Sequence, residues 1–444
     1  MMLRPSPALL RAAVLLLLLA LLPLAARLWL PDWREGAETL WLLAALMLVM
    51  TLGWDIARAW SRPLPRATRL TPAAFSVQRD HTIRVRFASS DLPSQCELAD
   101  HHPADDPNTG LPALLRPAAA ATTEFSYRYR PSRRGKAVFG DIELWLPGPL
   151  GLIWLRRRIG AACEVPVYPD FSMLQSDALK AQKHSRLDAG SRQQPRRGEG
   201  MEFHQLREYR PGDALRQIDW KASARRRSLI SREYQEEQNQ HIIVLLDGGA
   251  RLAMRVNGMT GFDHALNASL LLAWSGLKQG DRPGVLLFSN DEERWLPPVR
   301  GQQGLNRLLN ALYTLHPGNR ASDYSLAARK LMGHWSRHSL VVLISHIQPD
   351  DEQELMTAVK LLSGRHLLMI ADIQLPSQAR LRHCAIDTVD DALRVAGDAG
   401  WQEARLALHA RLRHAGALVV EATPEHLPAK LNQVYLSLKR SGQL

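Results

Sequence analysis

Two apolar runs near the N-terminus constrain this 444-residue chain more than any other feature. Residues 8–30 are mostly leucine and alanine, and Ala12 to Ala26 is apolar throughout with a single proline, Pro23. Residues 39–54, TLWLLAALMLVMTLGW, form the second run. With its flanks each reaches about 20 residues, the length at which a helix crosses a bilayer. Trp29, Trp33, Trp41, Trp54 and Trp60 fall near the run ends, where amphipathic indoles suit the membrane interface. The connector PDWREGAE is too short for a domain, so residues 1–60 are expected to form a transmembrane helical hairpin. A cleaved signal peptide over residues 1–26 is the weaker reading, because the run is long for one and a second span follows directly.

Charge sets the expected orientation. Arg4 and Arg11 precede the first span, and Arg58, Arg62, Arg66 and Arg69 follow the second; the connector holds only Arg34 beside Asp32, Glu35 and Glu38. The positive-inside rule then places both termini in the cytoplasm, with two spans in the inner (cytoplasmic) membrane and a cytoplasmic body on a short leash. Three cysteines, Cys96, Cys163 and Cys384, lie far apart with no C-x-x-C or zinc spacing. They read as small buried residues in a reducing compartment. The net charge of +12 permits nucleic acid, anionic lipid or acidic protein as partners. The basic residues are scattered and outline no nucleic-acid-binding fold, so lipid bilayer and protein are expected and nucleic acid is not.

The body divides by pattern. Residues 61–173 are β-rich: Ile83, Val85 and Phe87 alternate in HTIRVRF, and Phe125, Tyr127 and Tyr129 in FSYRYR. Such alternation predicts a small antiparallel sandwich, with His101–Pro117 as a loop and the whole serving as a partner-binding module or a spacer. Residues 174–240 form a linker, basic through Lys180, Lys183, Arg186, Arg192, Arg196 and Arg197, followed by a dense motif. Residues 241–444 alternate short apolar runs (HIIVLLD, GVLLF, LVVLIS, RHLLMI, ALVVEA) with helical spacing near 303–315, 323–335, 351–362, 390–414 and 427–440. That alternation implies a parallel sheet covered on both faces, with ligands expected at the carboxyl ends of the strands.

The motif at 198–227 reads GEGMEFHQLREYRPGDALRQIDWKASARRR. Gly200 and Glu202 give G-x-E. Arg207, Glu208, Tyr209, Gly212 and Asp213 follow, then Arg216, Ile218 and Trp220, then Ser223, Ala224 and Arg225. This resembles the signature of the prokaryotic domain of unknown function 58 family, whose members are membrane-attached. Arg133-Arg134-Gly135, Gly151-Leu152 and Val167-Tyr168-Pro169 resemble further landmarks of that family. Three readings of the strip stay open. Its charges, Asp219 included, form ion pairs that dock the linker, with Asp213 as a helix cap and Ile218 and Trp220 as core anchors. Alternatively its arginines and aromatics bind a partner. Or Glu208, Asp213 or Asp219 act as acid, base or metal ligand, although no nucleophile–base pair is evident.

The last 200 residues resemble a von Willebrand factor type A domain, a fold that often carries a metal-ion-dependent adhesion site. The resemblance implies ligands at a D-x-S-x-S motif, a loop threonine and a later aspartate. Here those positions hold Asp247, Gly249, Arg251, Ser322 and His346. So few oxygen ligands suit a hard divalent ion poorly, so no metal or other cofactor is expected. Arg251 is placed to pair with Asp247 instead, or Arg251 and His346 to receive an acidic partner side chain. The expected fold is α+β multidomain: hairpin, β-sandwich-like domain, and α/β type A-like domain with a parallel sheet. The family resemblance implies a non-enzymatic, membrane-anchored scaffold or adaptor for a MoxR-type AAA+ ATPase, with other membrane or type A-domain proteins as further partners. The alternative is a metal-assisted hydrolase using acidic residues of the signature.

Overall fold

The structure is a computed structural model that describes residues 2–29, 33–88, 92–117, 122–169, 202–209, 218–235, 239–256, 258–289, 293–374 and 388–444. The basic stretch 174–197 and Cys384 lie outside the described residues. The chain forms two compact units, Met1–Tyr168 and Pro169–Leu444.

In the first unit a short strand β1 (Leu3–Pro5) precedes helices α1 (Pro7–Leu19), α2 (Leu21–Trp29) and α3 (Arg34–Ser61). Two stretches, Pro7–Ala25 and Glu35–Ser61, are long and apolar enough to cross a membrane. The β part follows as β2 (Ala67–Leu70), β3 (Phe75–Ser76), β4 (His81–Ala88), β5 (Cys96–Asp100), β6 (Asn108–Thr109), β7 (Ala113–Leu115), β8 (Thr122–Tyr129), β9 (Gly135–Phe139), β10 (Ile142–Pro147), β11 (Ile153–Ile159) and β12 (Cys163–Tyr168). Among the described residues these make sheets ordered β1-β11-β10-β5-β7, β2-β4-β8-β6 and β3-β12-β9. Pairing is antiparallel except between β3 and β12. One core joins them: Ile83, Val85, Phe87, Leu98, Tyr127, Tyr129, Phe139, Leu144 and Val167 are buried together, the alternation in β4 and β8 having turned one side of each strand inward.

Two expectations change here. The segment His101–Pro117 is not all loop, since β6 and β7 pair with β8 and β5. Arg69, one of the basic residues after the second span, is committed to the sandwich: its guanidinium is buried against Asp100, with Nε 3.0 Å from Oδ2. The sandwich is not on a leash either. The buried carboxylate of Asp55 in α3 accepts hydrogen bonds from the backbone N–H groups of Leu150, Leu152 and Ile153 at 2.7, 3.0 and 3.3 Å. Gly148 is the only residue type that fits beside this carboxylate, because a Cβ there would lie 2.3 Å from Asp55 Oδ2.

The second unit opens with a two-stranded hairpin, β13 (Glu202–Glu208) and β14 (Ile230–Gln235), with helix α4 (Trp220–Arg226) between them in sequence. Its remaining strands are β15 (His241–Asp247), β16 (Arg255–Val256), β17 (Met259–Thr260), β18 (Arg282–Phe288), β19 (Arg294–Leu296), β20 (Leu340–Ser345), β21 (Leu367–Ile373) and β22 (Leu418–Ala422). Its helices are α5 (Gly261–Lys278), α6 (Gly301–Leu312), α7 (Tyr324–His334), α8 (Glu352–Ser363), α9 (Val389–His414) and α10 (Leu427–Arg440). The main sheet runs β19-β18-β15-β20-β21-β22 among the described residues. It is mixed: five strands are parallel and the edge strand β19 is antiparallel to β18.

The apolar runs are continuous because both faces of this sheet are covered. Ile242, Val244 and Leu246 pack on one face with Phe262, Leu266, Leu308, Leu431 and Tyr435 from α5, α6 and α10. Ile243 and Leu245 pack on the other with Leu331, Leu355, Val359, Leu408 and Leu412 from α7, α8 and α9. Thr260 and Asp263 form a reciprocal capping box at the start of α5, and Thr388 and Asp391 do so at α9.

Candidate functional site

The strand order of the main sheet reverses between β15 and β20. The chain leaves these neighbours in opposite directions, which opens a crevice at their carboxyl ends. Asp247 sits there at the end of β15, fully buried. Its Oδ1 accepts the Gly249 N–H at 2.8 Å, and its Oδ2 accepts the hydroxyls of Ser322 at 2.6 Å and Ser345 at 2.5 Å. Burial pushes the carboxyl above the usual carboxylate range, against the pull of the three donors. Tyr324 extends the chain, its hydroxyl 3.0 Å from Ser345 Oγ. Arg251 does not reach Asp247 with a hydrogen bond; its guanidinium pairs with Asp351.

The motif position of the second oxygen ligand is closed sterically. A Cβ on Gly249 would meet the Arg320 carbonyl oxygen at 2.8 Å and Ser322 Oγ at 3.0 Å. One carboxylate ringed by hydrogen-bond donors, with glycine and arginine at the serine positions, offers a divalent ion too few oxygens. The residues present do not fit a metal-ion-dependent adhesion site.

His346 lies one residue past the strand end, and it is Ser345 that faces Asp247. The His346 ring is buried, with Nδ1 2.8 Å from the Ile373 carbonyl oxygen, and it stacks near Trp401 at 6.3 Å. Burial holds its imidazole below the ordinary histidine range, so the ring is neutral and Nδ1 carries the proton it donates. A buried neutral ring and an arginine already paired do not make a receptor for an acidic side chain.

A second polar cluster lies at the end of β21. Asp372, His409 and Glu421 bring ligand-type atoms within 4.8 Å of one another. Arg405 already occupies that space. Its Nε and Nη2 donate to Asp372 Oδ2 at 2.8 and 2.5 Å, and its Nη1 lies 2.8 Å from Glu421 Oε1. His409 Nε2 is 2.8 Å from the same Asp372 oxygen, and the Ile347 N–H donates to Oδ1 at 3.0 Å. With a fixed guanidinium at its centre the cluster is an ion network, and a divalent cation there would meet a like charge. Reading motifs in the sequence missed it, because the partners lie on three separate elements.

In the signature, Gly212, Asp213 and Arg216 lie outside the described residues. Arg207 stands opposite Ser231 in the hairpin, and exposed Glu208 stands opposite Ile230. Tyr209 is half-buried and its N–H donates to the Leu229 carbonyl at 2.8 Å. Asp219 caps α4, its Oδ1 accepting the Ala222 N–H at 2.9 Å. Buried Ser223 ties the helix to β14: its Oγ donates to the Asp219 carbonyl at 2.7 Å and accepts the Ile230 N–H at 2.9 Å. Ile218 is buried, but Trp220 is 67 % exposed and so is not a core anchor. Lys221, Arg225, Arg226 and Arg227 are exposed, as are Leu206 and Leu229. The strip therefore presents an indole and several cations to its surroundings.

Among curated proteins, the chain is 24 % identical over 242 residues to the "Uncharacterized protein YeaD" of Bacillus subtilis (strain 168), covering 50 % of this chain. The matched region spans 56 % of that protein's length. Among solved structures it is similar to the conserved hypothetical protein BatB from Bacteroides thetaiotaomicron. That match has 12 % identity and a TM-score of 0.30, over 45 % of this chain and 98 % of the other. It is also similar to an aerotolerance-related membrane protein from Bacteroides fragilis NCTC 9343. There the identity is 18 % and the TM-score 0.24, over 31 % and 69 % of the two chains. The family described as "Protein of unknown function DUF58" matches residues 205–395, from the β13–α4–β14 signature through the Asp247 crevice.

Proposed function

We propose that this chain is a membrane-anchored, non-enzymatic scaffold or adaptor whose α/β unit, von Willebrand factor type A-like in plan, presents the signature to a MoxR-type AAA+ ATPase. The carrying observation is the state of the signature: Trp220, Lys221, Arg225, Arg226 and Arg227 are exposed while Asp219, the described acid/base candidate with a resolved role, is committed to a helix cap. An exposed indole among arginines is the chemistry that anchors protein interfaces. The partner would hydrolyse the ATP. The plan of the sheet and the place of Asp247 at its reversal support the type A-like reading. Arg11 and Arg58 lie in the body-side ends of the two apolar helices and Arg62 and Arg66 follow the second, which supports an inner-membrane hairpin with both termini cytoplasmic.

The test is capture of partners from native membranes with the full chain under nucleotide-trapping conditions. An AAA+ ATPase should be recovered with the wild type and be reduced at least fivefold by Trp220→Ala or Arg225→Glu, as for interface anchors worth ~1–2 kcal/mol. No ATPase in the wild-type capture would sink the reading. Metal-dependent turnover by the purified chain, abolished by Asp213→Ala or Asp219→Ala, would favour the hydrolase alternative instead.

A further inference from the structure

Both roots of the hairpin meet the sandwich at one turn, the link between β10 and β11. On the α3 side, Asp55 directly follows Trp54, where the apolar stretch ends, and takes the N–H groups of Leu150, Leu152 and Ile153. On the α1 side, the Ser6 N–H donates to the Leu152 carbonyl at 3.0 Å, and Ser6 Oγ accepts from Ala8 and Leu9 at 3.2 Å to cap the helix. The turn is therefore held level with the two points where the helices leave their apolar zone. Its tip, Leu150, is 49 % exposed, as is Trp54.

Two arginines bracket that level. Arg58 lies three residues past Asp55, about 4.5 Å further along the helix, with its guanidinium 5.9 Å from the Trp54 ring. Arg11 is exposed on α1, four residues past Pro7 and so roughly 6 Å to the apolar side of it; a side chain of that length snorkels back towards the headgroups. Neither has a carboxylate partner among the described residues, whereas Arg4 pairs with Glu97 and Arg156 with Glu143. Arg157 and Arg62 extend the positive charge outwards. Arg157 donates to the Trp60 and Arg62 carbonyls at 3.3 and 3.2 Å, and Arg62 to the Pro147 carbonyl at 3.3 Å.

We propose that this collar binds the phosphate headgroups of anionic phospholipids, with Arg11 and Arg58 gripping the phosphate and Leu150 entering the acyl boundary. The guanidinium fork matches phosphate geometry, and the headgroup layer, roughly 5–7 Å thick on each side, fits the gap between the two arginines. The proposal rests on the hairpin crossing a membrane. It places the sandwich on the bilayer surface, with the indoles and Leu150 in the interface.

The experiment reconstitutes the full chain into vesicles of equimolar phosphatidylcholine and phosphatidylglycerol, extracts it in mild detergent and counts retained headgroups by native mass spectrometry. Phosphatidylglycerol should be enriched on the wild type and fall roughly fivefold per arginine removed in Arg11→Gln/Arg58→Gln, the factor equal to ~1 kcal/mol per basic residue at an anionic surface. Arg11→Lys/Arg58→Lys should keep most of the enrichment. No enrichment on the wild type, enrichment unmoved by the glutamines, or equal loss in the lysine variant overturns the proposal. Flotation with pure phosphatidylcholine vesicles separates this from anchoring: the glutamine variant should still float. A wild-type chain that floats with no vesicle removes the anchoring and the collar together.

Discussion

Asp247 keeps a buried carboxylate because Gly249, Ser322 and Ser345 surround it with donors. Asp247→Ala leaves those donors facing nothing and should cost roughly 2–4 kcal/mol, while Asp247→Asn, which retains one acceptor, should cost less. Urea unfolding of the solubilised chain compares them, and equal costs would mean the donors turn to water instead. Gly249→Ser is expected to lower stability without creating a metal site, since its Cβ collides with the Arg320 carbonyl. A rise in Tm with Mg²⁺ in that variant would contradict this. At this scale the sequence was half legible. Asp247, Gly249 and Ser322 could be found from a motif, and the structure brings them together. Ser345 was missed because the motif's alignment pointed one residue further, to His346. The Arg251–Asp351 and Arg405–Asp372 pairs were invisible because they join residues 100 and 33 apart in sequence. The pairing of Arg69 with Asp100 was hidden for the same reason, the partner lying on another strand.

Elements were read more easily than their partners. The apolar runs at 241–247, 340–345 and 367–373 could only be strands buried on both faces, and the helices between them carry one apolar side each. The three-residue β1 and the two-residue β6 carry no periodicity at all and become strands only because an edge is waiting for them. The elements also carry a titration signature. Burial depresses the imidazoles of His241 (β15), His264 (α5), His346 and His366 below their ordinary range. A depressed imidazole binds fewer protons folded than unfolded, so its contribution is full above the unfolded value of ~6.5 and is lost as pH falls below it. Unfolding of this unit should therefore require less urea at pH 5 than at pH 7.5. His346→Gln, which can still donate to the Ile373 carbonyl, should flatten part of that slope. A slope unchanged by the substitution would assign the pH dependence to the other three rings.

At the scale of the molecule, the membrane hairpin and the sandwich are one folded object. Asp55 ties α3 to the β10–β11 turn, and β1 adds to the edge of β11 through Leu3↔Leu155, Arg4↔Trp154 and Pro5↔Ile153. Asp55→Ala orphans the turn's N–H groups and should raise amide exchange at residues 148–153 by at least tenfold, the factor equal to ~1.4 kcal/mol. Exchange as slow as in the wild type would show that the pairing of β10 with β11 alone holds the turn. The same geometry requires the first residues and the sandwich to occupy one side of any membrane the hairpin crosses. A protease tag ahead of Leu3 and another in the 101–107 loop should be cleaved from the same side, and cleavage from opposite sides would break the two-span reading.

The pairing of β1 with β11 also bears on how the chain is made. The ribosome releases Leu3 some 150 residues before its partner Leu155 exists, so the clasp can close only after both helices have been made. A chain that threads only one of its two helices would reach that moment with its first strand stranded across the bilayer and the edge of β11 bare. An unpaired edge is a template for pairing with another chain, and so for aggregation. The three residues of β1 can thus reach their partners only in molecules whose Leu3 and Leu155 have arrived in the same compartment.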